Sequence, residues 1–156
     1  MSKTPSKTPR RSGAGPLRFE HADLKAAVFH DVDLGGATID DASLVGARLN
    51  NVDLARATLS DARLTGGKWS NVDASSLVLD DAKLAGARLS NIDLHGLSLD
   101  NANAKNLRLS NVDLSRARLR DVDLSGVTIE DAKLDGLTID GVRIDQLLAR
   151  ARGKSG

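Results

Sequence analysis

Residues 52–94 read VDLARATLSDARLTGGKWSNVDASSLVLDDAKLAGARLSNIDL. Every fifth position is apolar: Leu54, Leu59, Leu64, Trp69, Ala74, Leu79, Leu84, Leu89 and Leu94. Two residues before each stands another small or apolar residue, from Val52 and Ala57 to Ala87 and Ile92. Outward from this stretch the series runs unbroken from Leu24 to Ile144, 25 positions in all. Only Ala74 and Ala104 are small, and no member is polar.

A helix turns about 100° per residue, so residues five apart lie about 140° apart around it and form no stripe. A flat strand throws successive fifth residues onto opposite faces. The series can be buried only if the chain turns once every five residues, which is a solenoid. The corner chemistry counts the sides. From Asp31 to Asp131 every tenth residue is Asp or Asn. The intervening corners favour glycine, at Gly36, Gly46, Gly66, Gly86, Gly96, Gly126 and Gly136. Glycine tolerates φ > 0, and Asx side chains bond nearby backbone. Two alternating corner types require an even number of sides. A second period of twenty, in which Asp33, Asp53, Asp73, Asp93 and Asp113 recur, gives four sides of five residues per coil. The expected fold is therefore all-β, a four-sided β-helix of about six coils, with strands spaced about 4.8 Å apart. Its narrow, filled interior accounts for only two Phe and one Trp in 156 residues. Trp69 is offset by the small neighbours Gly67 and Ala74, and volume-conserving exchanges are the ones cores tolerate.

The chain divides into a basic tail at 1–16, the β-helix at 17–144, a short helix at 145–152 and a tail at 153–156. The first segment, MSKTPSKTPRRSGAGP, has nothing to bury and reads as disordered; it is a solubilising tail, a nucleic-acid contact or a Ser/Thr-Pro phosphorylation site. The four basic residues there and the three at Arg150, Arg152 and Lys154 leave 15 basic against 21 acidic residues in between. An acidic rod thus has basic ends. No run is long enough to span a membrane, no secretory signal is present, and there is no cysteine. These features suit a cytoplasmic protein. At 145–152 the five-residue rule stops and Leu147 and Leu148 stand adjacent. An open β-helix end exposes strand edges, so these leucines are expected either to cap it or to form an end-to-end homodimer contact; otherwise the rod is a monomer.

Outward residues one coil apart stack into columns. One is Asp33, Asp53, Asp73, Asp93 and Asp113; on the preceding side runs Arg48, Lys68, Arg88 and Arg108. A third is Glu20, Asp40, Ser60, Asp80, Asp100, Arg120 and Asp140. Stacked carboxylates repel, and the basic column is expected to lean toward the aspartates, though exposed pairs are worth only about 0–1 kcal/mol each. The two columns are either a solvated face inherited by repeat duplication or the candidate interaction stripe. Calcium would need six to eight oxygen ligands, and the paired-glycine signature of calcium-binding solenoids is absent, so no metal is expected. His21, His30 and His95 are scattered at corner or outward positions. No phosphate-binding glycine loop and no converging triad occur, so neither catalysis nor a cofactor is expected.

Units such as Ala22-Asp23-Leu24, Val52-Asp53-Leu54, Val112-Asp113-Leu114 and Val122-Asp123-Leu124 resemble the A(D/N)LXX unit of the pentapeptide-repeat family. The resemblance covers about Leu17 to Ile144. It implies a right-handed quadrilateral β-helix, in agreement with the side count. It also implies a non-catalytic module, because known members include proteins that bind DNA gyrase and protect it from quinolones by imitating DNA. The leading expectation is a protein-interaction or scaffolding rod with an unidentified partner. The alternative is a DNA-mimicking modulator of gyrase or another topoisomerase. Direct nucleic-acid binding is expected, if anywhere, at the basic tail, because the rod lacks aromatic residues for base stacking.

Overall fold

A computed structural model describes residues 16–153. The readings of the segment before Pro16, and of residues 154–156, fall outside the described residues. The chain is a β-solenoid of about six coils followed by one helix. Six six-residue strands occur once per coil: β2 (Val28–Asp33), β4 (Arg48–Asp53), β6 (Lys68–Asp73), β8 (Arg88–Asp93), β10 (Arg108–Asp113) and β12 (Thr128–Lys133). They stack in that order into one parallel sheet. Between them lie β1 (Arg18–Glu20), β3 (Thr38–Asp40), β5 (Thr58–Ser60), β7 (Val78–Asp80), β9 (Ser98–Asp100), β11 (Arg118–Arg120) and β13 (Thr138–Ile139), stacked into a second sheet. Single-residue bridges Asp23–Ser43–Arg63–Lys83–Asn103–Asp123 form a further ladder. Every pairing between coils joins residues twenty apart, for example Leu49 with Trp69 and Trp69 with Leu89.

The corners explain why the coil closes on five residues. One residue in five adopts φ > 0: Asp31 at 54°, Gly36 at 67°, Asp41 at 46° and Gly46 at 68° make the four corners of one coil. At the glycine-type corner the chain closes a four-residue turn, as where Ala37 N–H donates to the Leu34 carbonyl at 2.9 Å. Its third residue needs φ > 0, the conformation glycine adopts without steric cost. Ala26, Arg56, Ser76, Asn106 and Arg116 hold that conformation without being glycine. The Asx-type corner is a single left-handed residue inside a six-residue strand, which bends β2, β4, β6, β8, β10 and β12 around an edge of the rod.

The interior is one apolar column. Leu54, Leu59, Leu64, Leu77, Leu84, Leu114 and Leu137 are fully buried, and no polar or charged residue is buried among the described residues. Each such leucine contributes on the order of 1.5–3 kcal/mol. Trp69 fits because Gly67 has no side chain: a Cβ there would stand 3.2 Å from the indole nitrogen and 3.0 Å from the Leu64 carbonyl oxygen. The interior is nevertheless not filled throughout. An apolar cavity of about 380 Å³ runs from Trp69 to Ile139. Leu77 and Leu107, at the inward sites that follow the small Ala74 and Ala104, both line the void.

The C-terminal end departs from the expected register. The coil does not continue to Ile144. Instead β13 folds back on β14 (Val142–Arg143) as an antiparallel hairpin, pairing Ile139 with Val142. The two-residue loop Asp140-Gly141 has φ of 47° and 79°, the double positive φ of a tight hairpin turn favoured by Asp-Gly. Val142, an expected inward residue, is consequently exposed. The helix α1 (Ile144–Gly153) follows, two residues longer than the expected 145–152. Ile144 packs against the core, but no residue of α1 is buried, and Leu147 and Leu148 face solvent. These leucines therefore do not close the end of the rod. Asp145, which accepts the N–H groups of Gly136 and Gln146, bonds the start of the helix beside the packed Ile144.

Candidate functional site

The aspartate column is built as a set of turn caps. Asp33, Asp53, Asp73, Asp93 and Asp113 stand in register at the ends of β2, β4, β6, β8 and β10. In each, Oδ1 accepts the backbone N–H two residues on: Gly35 at 2.9 Å, Ala55 at 2.8 Å, Ser75 at 2.9 Å, His95 at 2.8 Å and Ser115 at 2.9 Å. Asp23, Asn103 and Asp123 do the same for Lys25, Lys105 and Ser125. A local side-chain-to-backbone bond of this kind fixes entry to the following corner. It also offsets the repulsion of stacked carboxylates, because each anion sits against a backbone dipole.

The basic column does not perform that role. Arg48, Lys68, Arg88 and Arg108 are in register at the other ends of β4, β6, β8 and β10, exposed, and form no ion pair with the aspartates. The expected lean toward the acidic column is not made. The bend at Asn51, Asn71, Asn91 and Asn111 intervenes and puts the two charges on different sides of the rod. That corner carries its own ladder. Asn91 Nδ2 donates to Asn71 Oδ1 at 3.2 Å, and Asn111 Nδ2 to Asn91 Oδ1 at 2.8 Å. Asn51 Nδ2 reaches Asp31 at 2.5 Å. Asn71 Nδ2 donates instead to Asn50 Oδ1 at 3.2 Å, so the result is a hydrogen-bonded ridge, interrupted between Asn51 and Asn71, that separates an acidic strip from a basic strip. On the acidic side two shallow grooves run along the rod, about 400 Å³ along Asp31, Asp33, Asn51, Asp53, Asn71 and Asp73, and about 600 Å³ from Asn91 and Asp93 to Lys133.

The acidic strip is not uniform. At its C-terminal end Lys133 Nζ approaches Asp113 at 3.4 Å. The Ser115 hydroxyl and backbone N–H, with Lys133, hold the Asp113 carboxyl below its ordinary range. Asp53, Asp73 and Asp93 have no cationic partner among the described residues, and each keeps one oxygen beyond its turn bond. In the third column, Asp80, Asp100 and Arg120 are stacked neighbours. Arg120 grips Asp100 with two bonds and lowers its carboxyl pKa. The Ser125 hydroxyl similarly depresses Asp123, aided by Lys105.

The asparagine ladder escaped the sequence reading, which took those residues only as corner formers. Its signal was the run of Asn at 51, 71, 91 and 111 where Asp would serve equally for the corner. The cavity was missed because a leucine period reports which side chains point inward and not how well they meet. His21 donates from Nδ1 to the Asp41 carboxylate at 2.8 Å, which raises its pKa; His30 lies on β2, and His95 is half-buried beside its turn. Among the described residues no group of three or more His, Asp or Glu is disposed to hold a metal ion, and no helix is long and apolar enough to cross a membrane.

Comparison with solved structures returns pentapeptide-repeat folds. QnrB1, a plasmid-mediated fluoroquinolone resistance protein, aligns at 14% identity over 80% of this chain and 71% of its own, with a TM-score of 0.49. HetL, involved in heterocyst differentiation regulation in Nostoc sp. strain PCC 7120, aligns at 19% identity over 78% and 91%, with a TM-score of 0.32. A thylakoid-lumen pentapeptide repeat protein of Arabidopsis thaliana aligns at 18% identity over 90% and 83%, with a TM-score of 0.30. No curated protein matches the sequence. The family model for pentapeptide repeats (8 copies) matches residues 33–68, 57–96, 78–116 and 98–136. With these matches spanning most of the solenoid, and with one left-handed corner per five residues, the chain belongs to the pentapeptide-repeat family.

Proposed function

We propose that this protein is a non-catalytic interaction rod, and that its partner is read by the acidic strip of Asp53, Asp73 and Asp93 together with the basic strip of Arg48, Lys68, Arg88 and Arg108. One observation carries this reading. Each of the three aspartates satisfies its turn with one oxygen and keeps the other without a cation, in register, Asp53 and Asp73 along one shallow groove and Asp93 along the next. The complementary surface would be a protein face with charges of opposite sign on either side of a groove that accepts the Asn ridge. Such complementarity acts mainly through orientation and association rate. The C-terminal end adds a second contact surface, where Ile129, Val142, Leu147 and Leu148 are exposed, and pairing of two rods through it is the proposed mode of self-association.

The test separates the charge of the aspartates from their turn-capping. Asn103 already caps a turn, its Oδ1 accepting the Lys105 N–H at 3.1 Å, so Asn can replace Asp without loss of that bond. The triple variant Asp53→Asn, Asp73→Asn, Asp93→Asn is expected to melt as the parent does and to lose its partner in affinity capture read by mass spectrometry. A second variant with Arg48, Lys68, Arg88 and Arg108 changed to Ser is expected to lose the same partner. Full retention of captured proteins by both variants would remove the proposal. Capture of gyrase or another topoisomerase, lost with the aspartates alone, would establish DNA mimicry instead. That alternative rests on the same carboxylates, but one per coil, about 4.8 Å apart, is sparser than the charge every 1.7 Å or so along DNA.

A further inference from the structure

The cavity inside the C-terminal half of the rod has the shape and lining of a ligand site. Its walls are predominantly apolar, from Trp69 at the closed end to Leu124, Val127 and Ile139 at the other. Trp69 is 2% exposed, whereas Ile129 is 37% exposed, so the cavity opens where the last coil is left uncovered. Trp69, Leu89, Leu109 and Ile129 are successive register partners, which places three coil spacings between floor and mouth. At the strand spacing of about 4.8 Å that is a depth of about 14 Å, inside a coil with only five residues to a side. An opening within so narrow a coil accommodates one extended polymethylene chain and excludes fused rings.

Energetics argue for an occupant. An unfilled apolar void costs stability in proportion to its volume. Water gains little by entering, since the lining is predominantly apolar, and apolar cavities stay dry and take apolar ligands. The coils cannot collapse onto the void, because their spacing is fixed by hydrogen bonds between coils, such as Leu94 N–H to the Asp113 carbonyl at 2.9 Å. We infer that the lumen between Trp69 and Ile129 binds a linear saturated hydrocarbon chain, as in a fatty acid, which enters tail first from the C-terminal end with its polar head left in water.

Trp69 makes this directly measurable. It is the single Trp of a chain without Tyr, and it forms the floor of the cavity. Dodecanoate brominated at its terminal carbon is expected to quench Trp69 emission saturably, at equimolar amounts, and several-fold more than dodecanoate brominated beside the carboxylate. Unlabelled dodecanoate is expected to displace it and to raise the melting temperature. Leu109→Phe, which narrows the bore midway, is expected to abolish the quenching; Leu124→Phe, nearer the mouth, provides an independent block if the first variant folds poorly. Leu147→Ser with Leu148→Ser is expected to leave the quenching intact. Weak, non-saturating quenching by both bromo-isomers would overturn the assignment. So would quenching that survives both Phe variants and disappears with the two Ser changes, since the chain would then lie against α1.

Discussion

Arg56 holds a φ of 58° at a corner where Gly36, Gly96 and Gly136 stand one or more coils away, and Arg116 repeats the anomaly. A side chain in the left-handed region costs roughly 1–2 kcal/mol, of which glycine's greater backbone entropy returns part. Arg56→Gly is therefore expected to stabilise the fold by about 0.5–1 kcal/mol, read as a shift in the urea midpoint. Gly126→Ala should do the opposite, because its φ is 70° and a Cβ would fall on the Asn106 side-chain oxygen. The Asx corners offer a second test. Asn101 donates across to Asp81, whereas Asp41, Asp61 and Asp81 stack carboxylate on carboxylate. Asp61→Asn supplies a donor, removes one like charge and keeps a residue that tolerates φ > 0, so it is expected to add about 0.2–1 kcal/mol. The corner positions themselves were legible in the sequence, because they follow from the register. Which corners are strained was not, since Arg56 or Ala26 reveals nothing until its φ is known.

At the scale of elements, the hairpin and α1 show where the five-residue reading stops being sufficient. Gly141 occupies the place of an Asx corner and Asp140 precedes it, and that Asp-Gly pair is itself a hairpin signal. It was obscured because Ile139 and Ile144 keep the apolar period across a chain reversal. The new element is fastened by one carboxylate. Asp145 accepts from the Gly136 N–H at 3.0 Å, from the Gln146 N–H at 2.8 Å and from Arg143 through Nε at 2.9 Å. Arg143 foremost, then the Gly136 N–H, hold its carboxyl well below the ordinary carboxylate range. A carboxyl depressed in the folded state contributes its full stabilisation above its unfolded pKa of about 3.9 and loses it as pH falls below that value. Helical ellipticity is accordingly expected to hold from neutral pH down to about pH 4 and to decline at lower pH. Asp145→Asn should lower that signal at neutral pH and flatten its acid dependence. A parent-like acid profile in the variant would show that Ile144 packing, and not Asp145, anchors the helix.

For the molecule as a whole, a solenoid is nearly one-dimensional, so stability is set coil by coil and passed only to neighbours. The apolar period made the number of coils and the inward residues legible in advance, while the partner-facing chemistry depends on which carboxylate oxygens are spent on turns and appears only with geometry. The two ends are unequal in a way the period conceals. In the middle, Leu54, Leu64, Leu84 and Leu114 are sealed by a coil on each side. Toward the C-terminus Val122, Leu124, Val127, Leu134 and Ile139 are only half-buried, although Leu137 remains covered. A coil with one neighbour and an underfilled core has few contacts to lose on opening. Amide exchange is therefore expected to be fastest in β12 and β13, slower in β2, and slowest in β4, β6 and β8, which lie on the far side of Trp69 from the mouth of the cavity or next to it. Leu94→Asp tests how far the units are coupled. Leu94 is 2% exposed and has no polar partner within reach, so a carboxylate there is buried unpaired. If the coils act as one cooperative body, this single change unfolds the rod and every amide exchanges at once; if they act locally, protection is lost from β8 to β13 while β2 to β6 keep theirs. The continuous ladders from β2 to β12 and from β1 to β13 favour the first outcome, and hydrogen exchange resolved by strand distinguishes the two.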